Sequence, residues 1–126
     1  MTELELYDAA KTLIYREIGD CHTDCPGCEP CFLYNGKYVQ ISTSEYNGEN
    51  DIPCFTVQRF YSWRKCGISL FSLKNRLSWD FYIVKSSVIN SCFGRFDTIS
   101  LPLIEPFSLH TKVGGIKQAI DLACSL

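Results

Sequence analysis

No apolar run in this 126-residue chain approaches the ~18–20 residues needed to cross a bilayer, so no membrane partner is expected. The first residues, Met-Thr-Glu-Leu-Glu-Leu-Tyr-Asp, lack the basic start and unbroken apolar stretch of a secretory signal. Read from Met1, the chain is expected to be soluble and intracellular, in the cytoplasm or, for a viral protein, the host-cell cytoplasm. Charge is sparse at 21%, with 12 basic and 14 acidic residues and a net −2. That balance predicts neither a basic coat for nucleic acid nor an acidic tail. There is no Gly-rich phosphate loop. The two histidines, His22 and His110, form no Ser-His-Asp or Cys-His-Asn pattern that a sequence can support.

What the chain does have is apolar content, aromatics and thiols. Apolar residues are 46% and aromatics 13%, which places the sequence among folded domains rather than disordered ones. Its length suits one domain, residues 1–126. Eight cysteines are many for a reducing compartment, where structural disulfides are rare.

Thr2 followed by Glu5 has capping-box spacing, and Leu6, Ala9, Ala10, Leu13, Ile14 and Ile18 share a helical stripe. A helix from Thr2 to Ile18 is expected, stopped at Gly19. Asn35-Gly36 between two β-prone runs predicts a hairpin, because both turn residues need positive φ. Asn47-Gly48 offers another turn in a polar loop. Strands are expected over about 54–63, 67–73, 78–86 and 96–103. In the third, Trp79, Phe81 and Ile83 face one way and Asp80 and Tyr82 the other. In the fourth, Ile99, Leu101 and Leu103 face alike, and Pro102 suggests an edge. Pro106 is read as closing the β region, and Ile116–Cys124 as a final helix. The sum is an α+β fold: an antiparallel sheet of about five to six strands, with an N-terminal and a C-terminal helix covering one face. A Cys-rich knuckle stands between the first helix and the first hairpin.

That knuckle holds Cys21, Cys25, Cys28 and Cys31, spaced Cys-x3-Cys-x2-Cys-x2-Cys. In Cys25-Pro26-Gly27-Cys28, Pro26 fixes φ and Gly27 permits a tight backbone, so both sulfurs can wrap one ion. Zinc takes four such ligands tetrahedrally, and Cys21 with Cys31 would complete the set locally. Cys54 with Cys66 is the distant alternative, and His22 and His110 are spare ligands. An iron–sulfur cluster is a second option. Bacterial ferredoxins resemble this segment, although their Cys-x2-Cys-x2-Cys-x3-Cys gaps run in the opposite order. The first three thiols also share the spacing of radical S-adenosylmethionine enzymes, whose α/β barrel needs far more chain. The third option is disulfides and no metal, as intracellular proteins of hyperthermophiles use. A thioredoxin-like role needs a strand before the motif and a helix after it, and here the order is helix then hairpin.

Between Asp51 and Asp80 there is no acidic residue, while Arg59, Arg64, Lys65, Lys74 and Arg76 contribute +5, leaving −7 for the rest. Phe55, Phe60, Tyr61, Trp63, Phe71 and Trp79 are interleaved. Cations that neutralise phosphates beside aromatic faces that stack on bases suit single-stranded nucleic acid. Arg59, Tyr61, Trp63, Arg64, Lys65, Lys74 and Arg76 are the candidate contacts. The plainer account puts the aromatics in a core and the bases on a solvated face. Asp80 to Lys85 invites comparison with metal-dependent nucleases, but the position two before the lysine is Ile83 rather than an acid. The expectation is a non-enzymatic, zinc-stabilised binding module for single-stranded nucleic acid or a protein. The alternatives are a disulfide-stapled accessory protein, viral or thermophile-associated, acting by protein contact, and a small iron–sulfur protein. Oligomeric state is not legible.

Overall fold

The computed structural model describes residues 1–19, 22–24, 31–48, 50–56, 67–94 and 96–125, with the backbone alone for 22–24. In chain order these form α1 (Glu3–Ile18), β1 (His22–Asp24), β2 (Cys31–Tyr34), β3 (Lys37–Glu45), β4 (Cys54–Thr56), β5 (Ile68–Lys74) and β6 (Trp79–Lys85). There follow α2 (Ser86–Phe93), β7 (Thr98–Ser100), α3 (Leu101–Ile104), a 3₁₀ turn (Glu105–Phe107), β8 (Leu109–Lys112) and α4 (Ile116–Ser125). The fold is α+β. Six strands form one sheet in the order β1-β2-β3-β5-β6-β8, and β4 pairs with β7 in a separate ribbon.

Local sequence explains the first elements. The Thr2 hydroxyl accepts from the Glu5 amide at 3.1 Å, and the Glu5 carboxylate reaches back to the Thr2 amide, satisfying donors that no helical turn can reach. Leu6, Ala10, Ile14 and Ile18 are the buried stripe of α1. Asn35 at φ 49° and Gly36 at φ 77° turn β2 into β3, with Tyr34 opposite Lys37, the left-handed pair that matches strand twist.

The sheet is antiparallel except at its centre, where β3 and β5 run parallel, Val39 opposite Ile68 through Glu45 opposite Lys74. A parallel neighbour cannot be reached by a tight turn, so the chain leaves the sheet between them, and β4 lies on that excursion. The expected all-antiparallel sheet is corrected at this one pair.

Both faces are covered, not one. On the first, α1 and α4 pack over Phe32, Tyr34, Val39, Ile41, Leu70, Phe81 and Ile83. On the second, Phe71, Leu73 and Val84 of the sheet meet Phe55 of β4, Ile89 and Phe93 of α2, Ile99 of β7 and Ile104 of α3. Successive strand residues point to opposite faces, so β5 is buried at Ile68 through Leu73.

Three further expectations change. The strand foreseen over 96–103 ends at Ser100, and α3 follows with Pro102 in its first turn, where a missing N–H costs nothing. Leu103 is accordingly exposed while Leu101 and Ile104 are buried. The β region does not close at Pro106, because β8 follows it. The foreseen strand over 78–86 gives way at Ser86 to α2. Gly67 is required there: a Cβ would come within 2.6 Å of the Ser86 hydroxyl, itself 3.2 Å from that of Ser69. Of the strand foreseen over 54–63, residues 54–56 are β4 and 57–63 lie outside the described residues.

Candidate functional site

The sheet's hydrogen bonding sets Asp80 opposite Lys112 and Tyr82 opposite His110. All four side chains therefore leave the same face at the β8 border. Asp80 is 7% exposed, and a carboxylate buried to that degree needs donors. His110 Nε2 lies 2.8 Å from Asp80 Oδ1 and Lys112 Nζ 3.4 Å from the same oxygen, while the Asn75 amide donates to Oδ2. Tyr82 stacks on the imidazole, ring centres 4.7 Å apart at 18°. Burial pushes the Tyr82 phenol above its ordinary value, and the negative charges of Asp80 and Glu105 add to it. With Nε2 facing Asp80, the Nδ1 edge of a half-exposed ring is left as the polar face of His110. Chemically, the cluster is a neutralised carboxylate that fastens β8 to β6 and displays an imidazole and an ammonium outward.

Between β8 and α4, Leu109, His110 and Thr111 with Gly115, Gln118, Ala119 and Leu122 line a groove of about 240 Å³. Leu122 is 52% exposed. Where β8 begins, Phe96 and Phe107 both lean on the buried Phe93, at 6.3 and 6.0 Å, and are about half exposed. Val113, just past β8, is 50% exposed.

Of the candidate metal ligands, Cys31 begins β2 and is buried, whereas Cys21, Cys25 and Cys28 lie outside the described residues. Cys54, one member of the distant alternative, is an exposed free thiol on β4, and Cys66 lies outside. Among the described residues no three His, Cys, Asp or Glu side chains form a metal-holding group.

Of the candidate nucleic-acid contacts, Arg59, Tyr61, Trp63, Arg64 and Lys65 lie outside the described residues. Lys74 ends β5, and Arg76 is exposed in the turn to β6, where the Asn75 backbone N–H donates to the Ser78 carbonyl at 2.8 Å. Leu77 beside it is 99% exposed. β5 separates this tip from Gly67 by about 20 Å of strand. The described aromatics of the basic stretch, Phe55, Phe71 and Trp79, are all core residues.

Sequence reasoning missed the Asp80–His110–Lys112 convergence. The available signal was the two-residue spacing of His110 and Lys112, which matches Asp80 and Tyr82 once β8 is read as a strand. No protein-family model, curated protein or solved structure matches this chain. Among the described residues no helix is long and apolar enough to cross a membrane.

Proposed function

We propose that this chain is a non-enzymatic binding module for a protein partner, with the thiols of residues 21–31 as its structural staple. The observation that carries the reading is the pair of half-exposed phenylalanines, Phe96 and Phe107, that share Phe93 as their support, with the exposed Leu122 at the groove beside β8. Large apolar groups left together in water mark a surface that a partner covers. The test is capture from extract of the native host, comparing the intact chain with a Phe107→Asp, Leu122→Asp double variant whose fold is checked by circular dichroism. A discrete partner recovered by the first and reduced about tenfold with the second supports the reading. Equal recovery by both overturns it.

Zinc is the preferred staple. Asp24 and Phe32 are register partners, and Cys25 and Cys31 are each one residue further along. In sequence, Cys28 lies between these two thiols. Metal analysis of protein purified without chelator should find one zinc per chain, lost on Cys25→Ser with Cys28→Ser. Iron in its place would favour the cluster. A mass lowered by two hydrogens per bridge, with no metal, would favour disulfides.

Single-stranded nucleic acid is the second reading, supported by the Lys74–Arg76 tip. Binding of oligonucleotides that weakens with salt and falls on Lys74→Ala with Arg76→Ala would favour it over a protein partner.

A further inference from the structure

We infer that the outer edge of β8 accepts an extended segment of a partner protein, one whose side chains alternate acidic and apolar, as an added antiparallel strand. The inference rests on the protein-partner reading and specifies its chemistry. β8 ends the six-strand order, and among the described residues no strand lies beyond it. Half of an edge strand's backbone donors and acceptors point away from its one neighbour, and main-chain pairing with an incoming peptide satisfies them.

Side-chain alternation fixes the occupant. Residues opposite Leu109 and Thr111 would enter the side of the α4 groove, about 240 Å³ and bordered by Ala119 and Leu122, so apolar groups fit there. Residues opposite His110 and Lys112 would lie on the other face. There the exposed groups are the imidazole, 48% exposed, and the ammonium, 65% exposed, while the Asp80 carboxylate beneath is 11% exposed. A carboxylate arriving at that face meets the Lys112 ammonium and is shielded from the one buried acid, while the outward Nδ1 of His110 donates only when the ring is protonated. Opposite charges directly across a strand pair stabilise it, and like charges oppose it.

The same rule disfavours a second copy as occupant. Antiparallel pairing of β8 with itself about a two-fold axis must match residues on the same face. It therefore sets His110 against His110, or His110 against Lys112. Neither pairing brings a carboxylate to the Lys112 ammonium, which an acidic strand does.

The experiment uses the full chain, labelled for amide NMR, and a capped peptide of about eight residues alternating valine and glutamate. Shifts on the amides of residues 109–113, with binding about tenfold weaker for the valine–lysine peptide, are the expected result. Lys112→Glu should reverse the preference. Because that change also removes a partner of Asp80, the peptide charge reversal on the unaltered chain carries the decision by itself. Equal binding of both peptides, or shifts confined to other residues, overturns the inference. So does a concentration-dependent dimer by sedimentation whose 109–112 amides are protected, which would make a second copy the occupant. Capture of a host partner through Phe107 and Leu122 without any peptide response at β8 would defeat strand addition alone. Loss of both would defeat the protein-partner reading too.

Discussion

The centre of the sheet and its β8 edge solve opposite problems with the same alternation. In β5, six consecutive residues are buried, because one parity feeds the helical layer and the other the β4–β7 and α2 layer. In β8, partly buried and exposed residues alternate: one parity leans on α4 and the other holds His110 and Lys112 toward water. A strand covered on both faces is mostly apolar, as β5 is apart from its buried Ser69 and Ser72, whereas a strand at the border keeps exposed polar groups. One of them is then available to a carboxylate buried on the neighbouring strand. Asp80 is that carboxylate. It belongs to a central-type strand by burial and to the edge by its partners.

Core truncation should break the comparison most strongly. Phe81 is fully buried beneath the helices, and Phe81→Ala should cost about 3–5 kcal/mol, since cavity and transfer terms add. Leu109→Ala at the edge, where the side chain is only partly covered, should cost clearly less. Urea unfolding of both variants reads the difference. Equal losses would mean that β8 is as integral to the core as β6.

Removing the link between the two regions should have a smaller effect. Asp80→Ala leaves His110, Lys112 and Asn75 without their shared acceptor, but two of these reach water. The expected cost is about 1–3 kcal/mol. Amide hydrogen exchange should rise at Leu109–Lys112 ahead of Ile68–Lys74, because the edge strand loses its side-chain fastening while the centre keeps its packing. Uniform acceleration across the sheet would show that Asp80 supports the whole fold rather than the border.

How much of this could be read beforehand follows the range of the interactions. Thr2 with Glu5, and Asn35 with Gly36, act within four residues, and both appear as expected. The alternation of Trp79, Phe81 and Ile83 against Asp80 and Tyr82 also holds, since period two is local. Failures came where two periods fit the same letters or where a distant partner decided. Ile99, Leu101 and Leu103 read as a strand, yet burial of Leu101 and Ile104 follows helical spacing. Ser86, Ile89 and Phe93 are the buried residues of α2 in a β-prone stretch. The Asp80–His110 contact joins residues 30 apart in sequence, and only the register of β6 on β8 makes them neighbours. The basic stretch is continuous in sequence, and only the fold shows that Lys74 ends β5 and Arg76 lies in the turn beyond it.

The smallest effect concerns Tyr82, and its sign follows from linkage. Its phenol is held above the ordinary 10.0 by burial first, then by Asp80 and Glu105. The folded chain therefore keeps a proton that the unfolded chain releases once pH passes about 10. Stability from this group is intact below that value and declines as pH rises toward the folded pKa, beyond which the loss is complete. Tyr82→Phe removes the titration while keeping the ring stacked on His110. Urea unfolding of both proteins between about pH 9 and 11 should show the tyrosine chain losing stability relative to the phenylalanine chain as pH rises. The other tyrosines titrate in both proteins and cancel in the difference. A difference that stays constant across the range would mean that the Tyr82 hydroxyl is as well solvated folded as unfolded. The border of the sheet would then be open around Asp80 as well, in contrast with its burial.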